Sequence, residues 1–284
     1  MNLVKRDGHT HTEFCPHGSG DDVEKMIIKA INLGFTDYSV TEHAPLPLEL
    51  KDHYRGSDSG IDEASMRIQD VEPYIKKIQF LKQKYRDQIN IKLGFEIDYF
   101  ADFETYTEDF INEYADVIED SILSVHFLKG KGNKYWCVDN ELEEFAEGLF
   151  NYYGDSQKLY RQYFLTVQDS VNFLATHGYV SRIGHMTLIK KFQDYYSLTN
   201  DYSNSNQKLI IEVLKAVKNS GLELDLNTAG LYKQYCNDLY PDGWIRQRAK
   251  KLAIPMVFGS DSHGIVDVGR AHSLAEFELS QLTN

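Results

Sequence analysis

Apolar residues along this chain fall into two alternating kinds of run. Short, nearly continuous apolar stretches read as buried strands. Each is followed by a stretch whose apolar residues return every three or four positions, as on one helix face. The first strand ends in Asp7-Gly8-His9-Thr10-His11. A helix over residues 23–33 follows, with Ser19 or Asp21 as its cap and Gly34 as its stop. Residues 35–41 form the second strand and lead into Glu42-His43 and a proline-rich loop. Ile68, Val71, Ile75, Ile78 and Tyr85 recur at helical spacing and predict a long amphipathic helix over residues 62–86. Residues 89–97 give a third strand, a helix lies near 103–115, and residues 121–127 give a fourth strand. Residues 141–176 read as largely helical and carry many aromatics, which are read as packing groups. Strands five to seven fall at 179–183, 222–227 and 254–259, with helices near 205–219 and after Gly243.

Seven strand–helix alternations, with no repeat, linker or break in composition, predict a parallel α/β architecture in a single domain over residues 1–284. A doubly wound sheet and a closed barrel both give this pattern. The placement of the polar residues separates them. Of ten histidines, seven lie at or just after the end of a predicted strand: His9, His11, His17, His43, His126, His185 and His263. Glu96 ends the third strand and Asp261 follows the seventh. In a parallel barrel all strand C-termini open on one face, where active sites are built; in a doubly wound sheet they spread along a crevice. Candidate ligands from six of seven strands favour the barrel.

Spacing adds a reason. Residues two apart on a strand project from one face, so His9 and His11 can bind a single ion. Asp261 and His263 share that spacing, although a turn there can send them to different ions. Neutral imidazole suits zinc, manganese or iron, and a carboxylate such as Glu96 can bridge two ions. A single histidine or glutamate is more often a solvated or satisfied side chain than a ligand; repetition at strand ends overturns that reading here. His53, His177 and His272 lack the placement and are read as ordinary residues.

Composition narrows the chemistry. The net charge of −13 disfavours nucleic-acid binding, which rests on Lys and Arg neutralising phosphates. Bound divalent ions would still let an acidic protein receive an anion locally. No N-terminal apolar leader and no run of about 18 apolar residues is present, so a soluble protein of the cytoplasm without membrane contact is expected. Three cysteines, Cys15, Cys137 and Cys236, form no CxxC pair; Cys15 lies among histidines and is read as a small buried residue before a thiolate ligand. No cysteine begins a C-x5-R loop, no P-loop is present, and Asp225-Leu226-Asn227-Thr228 only loosely matches an aspartyl-phosphate motif.

Taken together, His9-Thr10-His11-Thr12, Cys15-Pro16-His17-Gly18, Thr41-Glu42-His43, Gly94-Phe95-Glu96, Ser124-Val125-His126, Gly184-His185 and Gly259-Ser260-Asp261-Ser262-His263 resemble the polymerase-and-histidinol-phosphatase (PHP) family. Within it they are most similar to the histidinol-phosphate phosphatases of histidine biosynthesis. The resemblance implies a distorted (β/α)7 barrel with its metal site at the C-terminal ends of the strands, holding three divalent ions (Zn, Mn or Fe). It places His9, His11, Glu96 and Asp261 at the first ion, the bridging Glu96 with His126 and His185 at the second, and His17, His43 and His263 at the third. All nine positions hold suitable donors. The implied reaction is hydrolysis of a small phosphomonoester by metal-activated hydroxide, with Glu96, Asp261 and His263 as catalytic candidates. His263, Asp261 or water would protonate the leaving group. Arg182, Lys233 and Asn227 are candidates for holding the phosphate. The alternatives are a phosphodiesterase or nuclease on the same scaffold, a phosphatase for another small monoester, and a metal-binding module without turnover. The sequence carries no sign of the oligomeric state.

Overall fold

A computed structural model describes residues 5–176 and 180–280. Its main sheet has seven parallel strands: β1 (Arg6–Asp7), β2 (Asp37–His43), β3 (Asn90–Asp98), β4 (Ile122–Ser124), β7 (Arg182–Ile183), β8 (Glu223–Asn227) and β9 (Met256–Gly259), in that spatial order. Between β4 and β7 an antiparallel hairpin, β5 (Phe127–Lys129) with β6 (Tyr135–Cys137), stands apart from the sheet. The first and last strands approach each other: Gly8 N–H donates to Phe258 O (2.8 Å), Asp261 N–H to His9 O (2.9 Å) and His11 N–H to Ser262 O (2.9 Å). These bonds bring the sheet round into a nearly closed barrel, as the strand-end pattern predicts.

Alternation along the strands divides two environments. On β3 the apolar set Ile91, Leu93, Phe95 and Ile97 is buried, and Phe95 packs against Tyr74 and Phe110 of the surrounding helices. Gly94, Glu96 and Asp98 take the other face. On β8 the alternate residues Glu223, Asp225 and Asn227 form a polar row. The apolar core therefore lies between barrel and helices, and the barrel interior is polar. The helices Val71–Tyr85, Ser156–Leu174 and Asn204–Asn219 supply much of that core. Among the described residues no helix is long and apolar enough to cross a membrane.

The element limits differ from expectation in informative places. The first helix spans Val23–Asn32, and its cap is Asp22, whose carboxylate accepts from Glu24 N–H (2.8 Å). Asp21 instead accepts from Ile265 N–H (2.9 Å). Gly34 follows with φ +78°, as the predicted stop requires. The helix expected over residues 62–86 begins only at Val71, so that Pro73 falls in its first turn, where no N–H is missed. Residues before it form short turns at Ser59–Asp62 and Ile68–Asp70, and Ile68 is exposed. The fourth strand stops at Ser124, and the run beyond His126 belongs to the β5–β6 hairpin, which turns through Gly130 to Lys134. Of the fifth predicted strand only Arg182–Ile183 is paired, and Tyr179 lies outside the described residues.

Candidate metal centre

The predicted ligands converge at the C-terminal mouth of the barrel in three groups. In the first, His9 Nε2 lies 3.2 Å from His11 Nε2 and 3.1 Å from Glu96 Oε2, while His11 Nε2 lies 3.1 Å from Asp261 Oδ1. The remaining edges, His9 to Asp261 and His11 to Glu96, are 3.7 and 3.5 Å. In the second group His126 Nε2 is 3.0 Å from His185 Nε2, and Glu96 Oε1 is 3.1 Å from His185 and 3.6 Å from His126. Glu96 thus turns one oxygen to each group. In the third, His17 Nε2 and His263 Nε2 are 3.0 Å apart, with the His43 ring 5.0 Å from that of His17. Asp261 and His263 face different groups, as the turn between them allows; Asp261 has a left-handed backbone (φ +52°), the kind of local strain found at functional sites.

These spacings fit metal coordination. Donors about 2.0–2.2 Å from a tetrahedral ion sit roughly 3.3–3.6 Å from one another, and the observed edges bracket that range. Five of the seven imidazoles offer one nitrogen to the centre because the other is tied. His9 Nδ1–H donates to Asp225 (2.8 Å), His11 Nδ1–H to Glu42 (3.1 Å) and His126 Nδ1–H to Asp98 (2.8 Å). His17 Nδ1–H donates to Glu63 O (2.7 Å) and His263 Nδ1–H to Asp261 O (3.0 Å). Such tethers are the usual outer shell of metal-bound histidines. His43 is buried with neither ring nitrogen hydrogen-bonded, and His185 Nδ1 also lacks a partner. A buried polar atom without a partner costs about 1–3 kcal/mol, and an ion at the third group would relieve that cost for His43.

Electrostatics describe the same crowding. Burial disfavours charge on His9, yet Glu96, Asp225 and Asp261 outweigh it and hold its pKa well above the usual value. Against the same burial, hydrogen bonds to Asp261 and Glu42 raise His11 to about 9, and Asp98 and Glu96 raise His126 to about 10. His43 and His263 are driven the other way, first by burial and then by His11. Glu96 and Asp261 stay ionised because His9 and its neighbours overcome their burial.

Above the ligands lies a cavity of about 320 Å³. The phosphate candidates separate here. Lys233 lines the cavity. Asn227 sits beneath it, its amide donating to Asp261 Oδ2 (3.1 Å) and Asp225 Oδ2 (3.2 Å), so it orients ligands and does not reach the cavity. Arg182 is a correction: it is fully buried inside the barrel, ion-paired with Asp120 and donating to Gly8 O (2.8 Å), with no path to the mouth. Arg270, which also lines the cavity beside Asp267 (2.6 Å), is a cation that the sequence reading did not select. Lys191 lines it too, and is held by Asp139. The Cys15 sulfur is buried and comes within 4.8 Å of donor atoms of His11, His43 and His263. His53 packs on Phe103, and His272 packs edge-on to Phe35 and Phe258, away from the mouth. His177 lies outside the described residues.

The PHP domain family model matches residues 7–229. The chain belongs to the PHP family. The histidinol-phosphatase of Bacillus subtilis (strain 168) is 40% identical over 95% of this chain and 97% of that protein. Among solved structures, a Listeria monocytogenes protein assigned as a histidinol phosphatase superposes with a TM-score of 0.90 at 41% identity, covering 95% of this chain and 99% of its own. The histidinol phosphate phosphatase of Lactococcus lactis, solved with zinc, L-histidinol and phosphate, shares the fold with a TM-score of 0.66 at 20% identity, over 98% of this chain and 94% of that one. In this PHP barrel β9, which carries Asp261 and His263 at its end, lies beyond the matched residues and completes the same sheet.

The tethering carboxylates were not selected from the sequence, although a signal existed for two of them. Asp98 lies two residues after Glu96 and Asp225 two before Asn227, so each shares a strand face with a chosen residue. Glu42 stood inside the Thr41-Glu42-His43 motif, but nothing local says that its carboxylate turns to His11 and Thr12.

Proposed function

We propose that this protein hydrolyses L-histidinol phosphate to L-histidinol and phosphate, a step of histidine biosynthesis, at a centre of three divalent ions (Zn, Mn or Fe). The observation that carries the reading is the convergence of nine donors, with Glu96 facing two groups at once, beneath a cavity sized for a small ligand. The 40% identical relative from B. subtilis supports the substrate, as do the ligands of the lactococcal structure with the same fold.

His9, His11, Glu96 and Asp261 would hold the first ion; Glu96, His126 and His185 the second; His17, His43 and His263 the third. Ions held by these residues would supply charge neutralisation for the phosphoryl oxygens and would lower the pKa of water to about 7, which would make hydroxide available at neutral pH. The side chains do the rest. Asp225, Glu42 and Asp98 hold three imidazoles in the tautomer that keeps Nε2 free. Lys233 and Arg270 offer positive charge to the phosphate from the cavity wall. Phe127 and Tyr240 give a flat imidazole apolar lining, and Glu63 offers a carboxylate to a protonated amine. Asp261 Oδ1 and His263 Nε2 would each hold an ion, and Asp261 Oδ2 and His263 Nδ1 are tied to Asn227 and to the Asp261 carbonyl, so the leaving alkoxide would take its proton from water.

Initial rates of phosphate release test the substrate. L-Histidinol phosphate should exceed unrelated monoesters, and single-stranded DNA, by about 100-fold or more in kcat/KM, the discrimination given by about 2.7 kcal/mol of specific contacts. Equal rates across monoesters would remove the substrate assignment and leave a general phosphatase.

A further inference from the structure

The segment between β2 and the Val71–Tyr85 helix adds no strand to the barrel, yet Ser59, Gly60, Glu63 and Ala64 from it wall the cavity. The Arg55 N–H donating to Tyr135 O (2.9 Å) and an apolar cluster of Leu50 and Tyr54 with Phe127 and Tyr135 help to fasten it. Several of its hydrogen bonds to the hairpin side gather on one buried carboxylate, Glu144, on the short helix Leu142–Phe145. Its Oε1 accepts from Tyr54 O–H (2.6 Å) and Cys137 N–H (2.8 Å). Its Oε2 accepts from Asn140 Nδ2 (3.1 Å), Ser57 Oγ (3.3 Å) and Ser57 N–H (3.4 Å). All five donors are neutral, and they come from the 54–60 segment, from the end of the β5–β6 hairpin and from Asn140 just after it. Close packing confirms the seat: a Cβ at Gly56 would lie 2.0 Å from Glu144 Oε1 and 2.1 Å from Tyr54 Oη.

Six residues beyond Ser57 the same segment presents the Glu63 carbonyl that accepts from His17 Nδ1–H (2.7 Å). That bond leaves His17 Nε2 free to face His263 Nε2. His17 differs from the other eight donors in being exposed, whereas they are buried or half-buried. Packing therefore does little to orient its ring, and the carbonyl does much. The tethers of the first two groups come from strand carboxylates, Asp225 on β8 and Asp98 on β3, or from Glu42 on β2. Only the third group borrows its tether from a loop.

We propose that Glu144 is a positioning residue for the third ion: by clasping the 54–60 segment to the hairpin it sets the Glu63 carbonyl, and through it His17. The inference rests on the three-ion reading. Its reach is set by what outer-shell contacts are worth, about 10- to 100-fold in metal affinity. Glu144→Gln keeps the shape and turns an NH2 toward donors on Ser57 and Asn140, which loosens the clasp without emptying the space.

The test is equilibrium dialysis of wild type, Glu144→Gln, His17→Ala and the double variant against zinc, with bound metal counted by atomic spectrometry. Thermal unfolding of the metal-free chains is followed in parallel. Wild type should bind three ions. Glu144→Gln should retain two at wild-type affinity and bind the third about 10- to 100-fold more weakly, with excess zinc restoring it. His17→Ala should weaken the same ion, and the double variant should add little beyond His17→Ala, since the two act in series. Unchanged affinity for all three ions in Glu144→Gln would overturn the inference while leaving the three-ion reading intact. So would an equal weakening of every ion, or additive effects in the double variant, because either would mark Glu144 as a general support of the fold. Fewer than three ions in the wild type would instead overturn the three-ion reading, and the inference with it.

Discussion

Two regions of the barrel interior are charged and buried, and they differ in what completes them. Toward the N-terminal ends of the strands, the Arg182 guanidinium pairs with Asp120, which also takes Arg6 (2.5 Å) and the Ser39 hydroxyl. Cation meets carboxylate there, and the cluster is nearly satisfied by the chain alone. At the C-terminal mouth, imidazole nitrogens and carboxylate oxygens face one another 3.0–3.7 Å apart, and His43, 3.3 Å from Glu96 Oε2, has neither ring nitrogen hydrogen-bonded. That region gathers imidazole nitrogens around shared carboxylates in the manner of a metal site, and bound cations would complete it. Asp225 lies between the two, on the row that runs from Glu223 to Asn227. The contrast separates a charge cluster that holds a fold from one that holds a ligand.

Breaking the mouth at its shared member should have the largest effect. Glu96→Ala removes one donor from each of two groups and should lower kcat/KM for histidinol phosphate by about 1,000-fold, or about 4 kcal/mol. Bound metal should fall with it while the fold persists, as measured by metal content and circular dichroism. Breaking the lower cluster should do the reverse. Arg182→Met leaves the buried Asp120 with only the partly exposed Arg6 as its cation and should cost about 3 kcal/mol of stability in denaturant unfolding, with kcat/KM of the folded protein close to wild type.

A change between the two regions should give a smaller and purely catalytic effect. Asp225→Asn keeps the size of the group but weakens the hold on His9, for an expected loss of about 10- to 100-fold in metal affinity or activity. The smallest effect lies in the pH dependence of the lower cluster. Burial alone would raise the Asp120 pKa, but Arg182 and then Arg6 outweigh it and bring it from 3.8 to about 2. A depressed carboxylate stabilises the fold above its unfolded pKa and loses that contribution as pH falls through its folded one. Wild type should therefore lose on the order of 2 kcal/mol between about pH 4 and pH 2, a limb that Asp120→Asn should lack in denaturant titrations across that range.

Much of this was legible in the sequence, for a physical reason. Strand ends in a parallel barrel share one face, so placement alone gathered His9, His43, Glu96, His126, His185 and Asp261 before any contact was known. The alternation on β3 and β8 was also local information. What could not be read depended on partners distant in sequence. Arg182 sits three residues before His185 and looks like a group at the mouth; only its pairing with Asp120 and Gly8 sends it downward. Glu144 belongs to an acidic stretch like any solvated helix face, and its burial follows from where Tyr54 and the hairpin fold over it. The segment before Val71 kept an apolar period at Ile68, but it folds only into short turns at Ser59–Asp62 and Ile68–Asp70, with Glu63 and Ala64 between them walling the cavity.

The most direct test of the metal centre is a titration of chelator-treated protein with zinc, following bound ions and phosphate release from L-histidinol phosphate in the same samples. The predicted result is no turnover in the stripped protein, and a rate that rises with loading and levels off at three ions per chain. Full turnover in the stripped protein, or saturation with zinc without phosphate release, would contradict it.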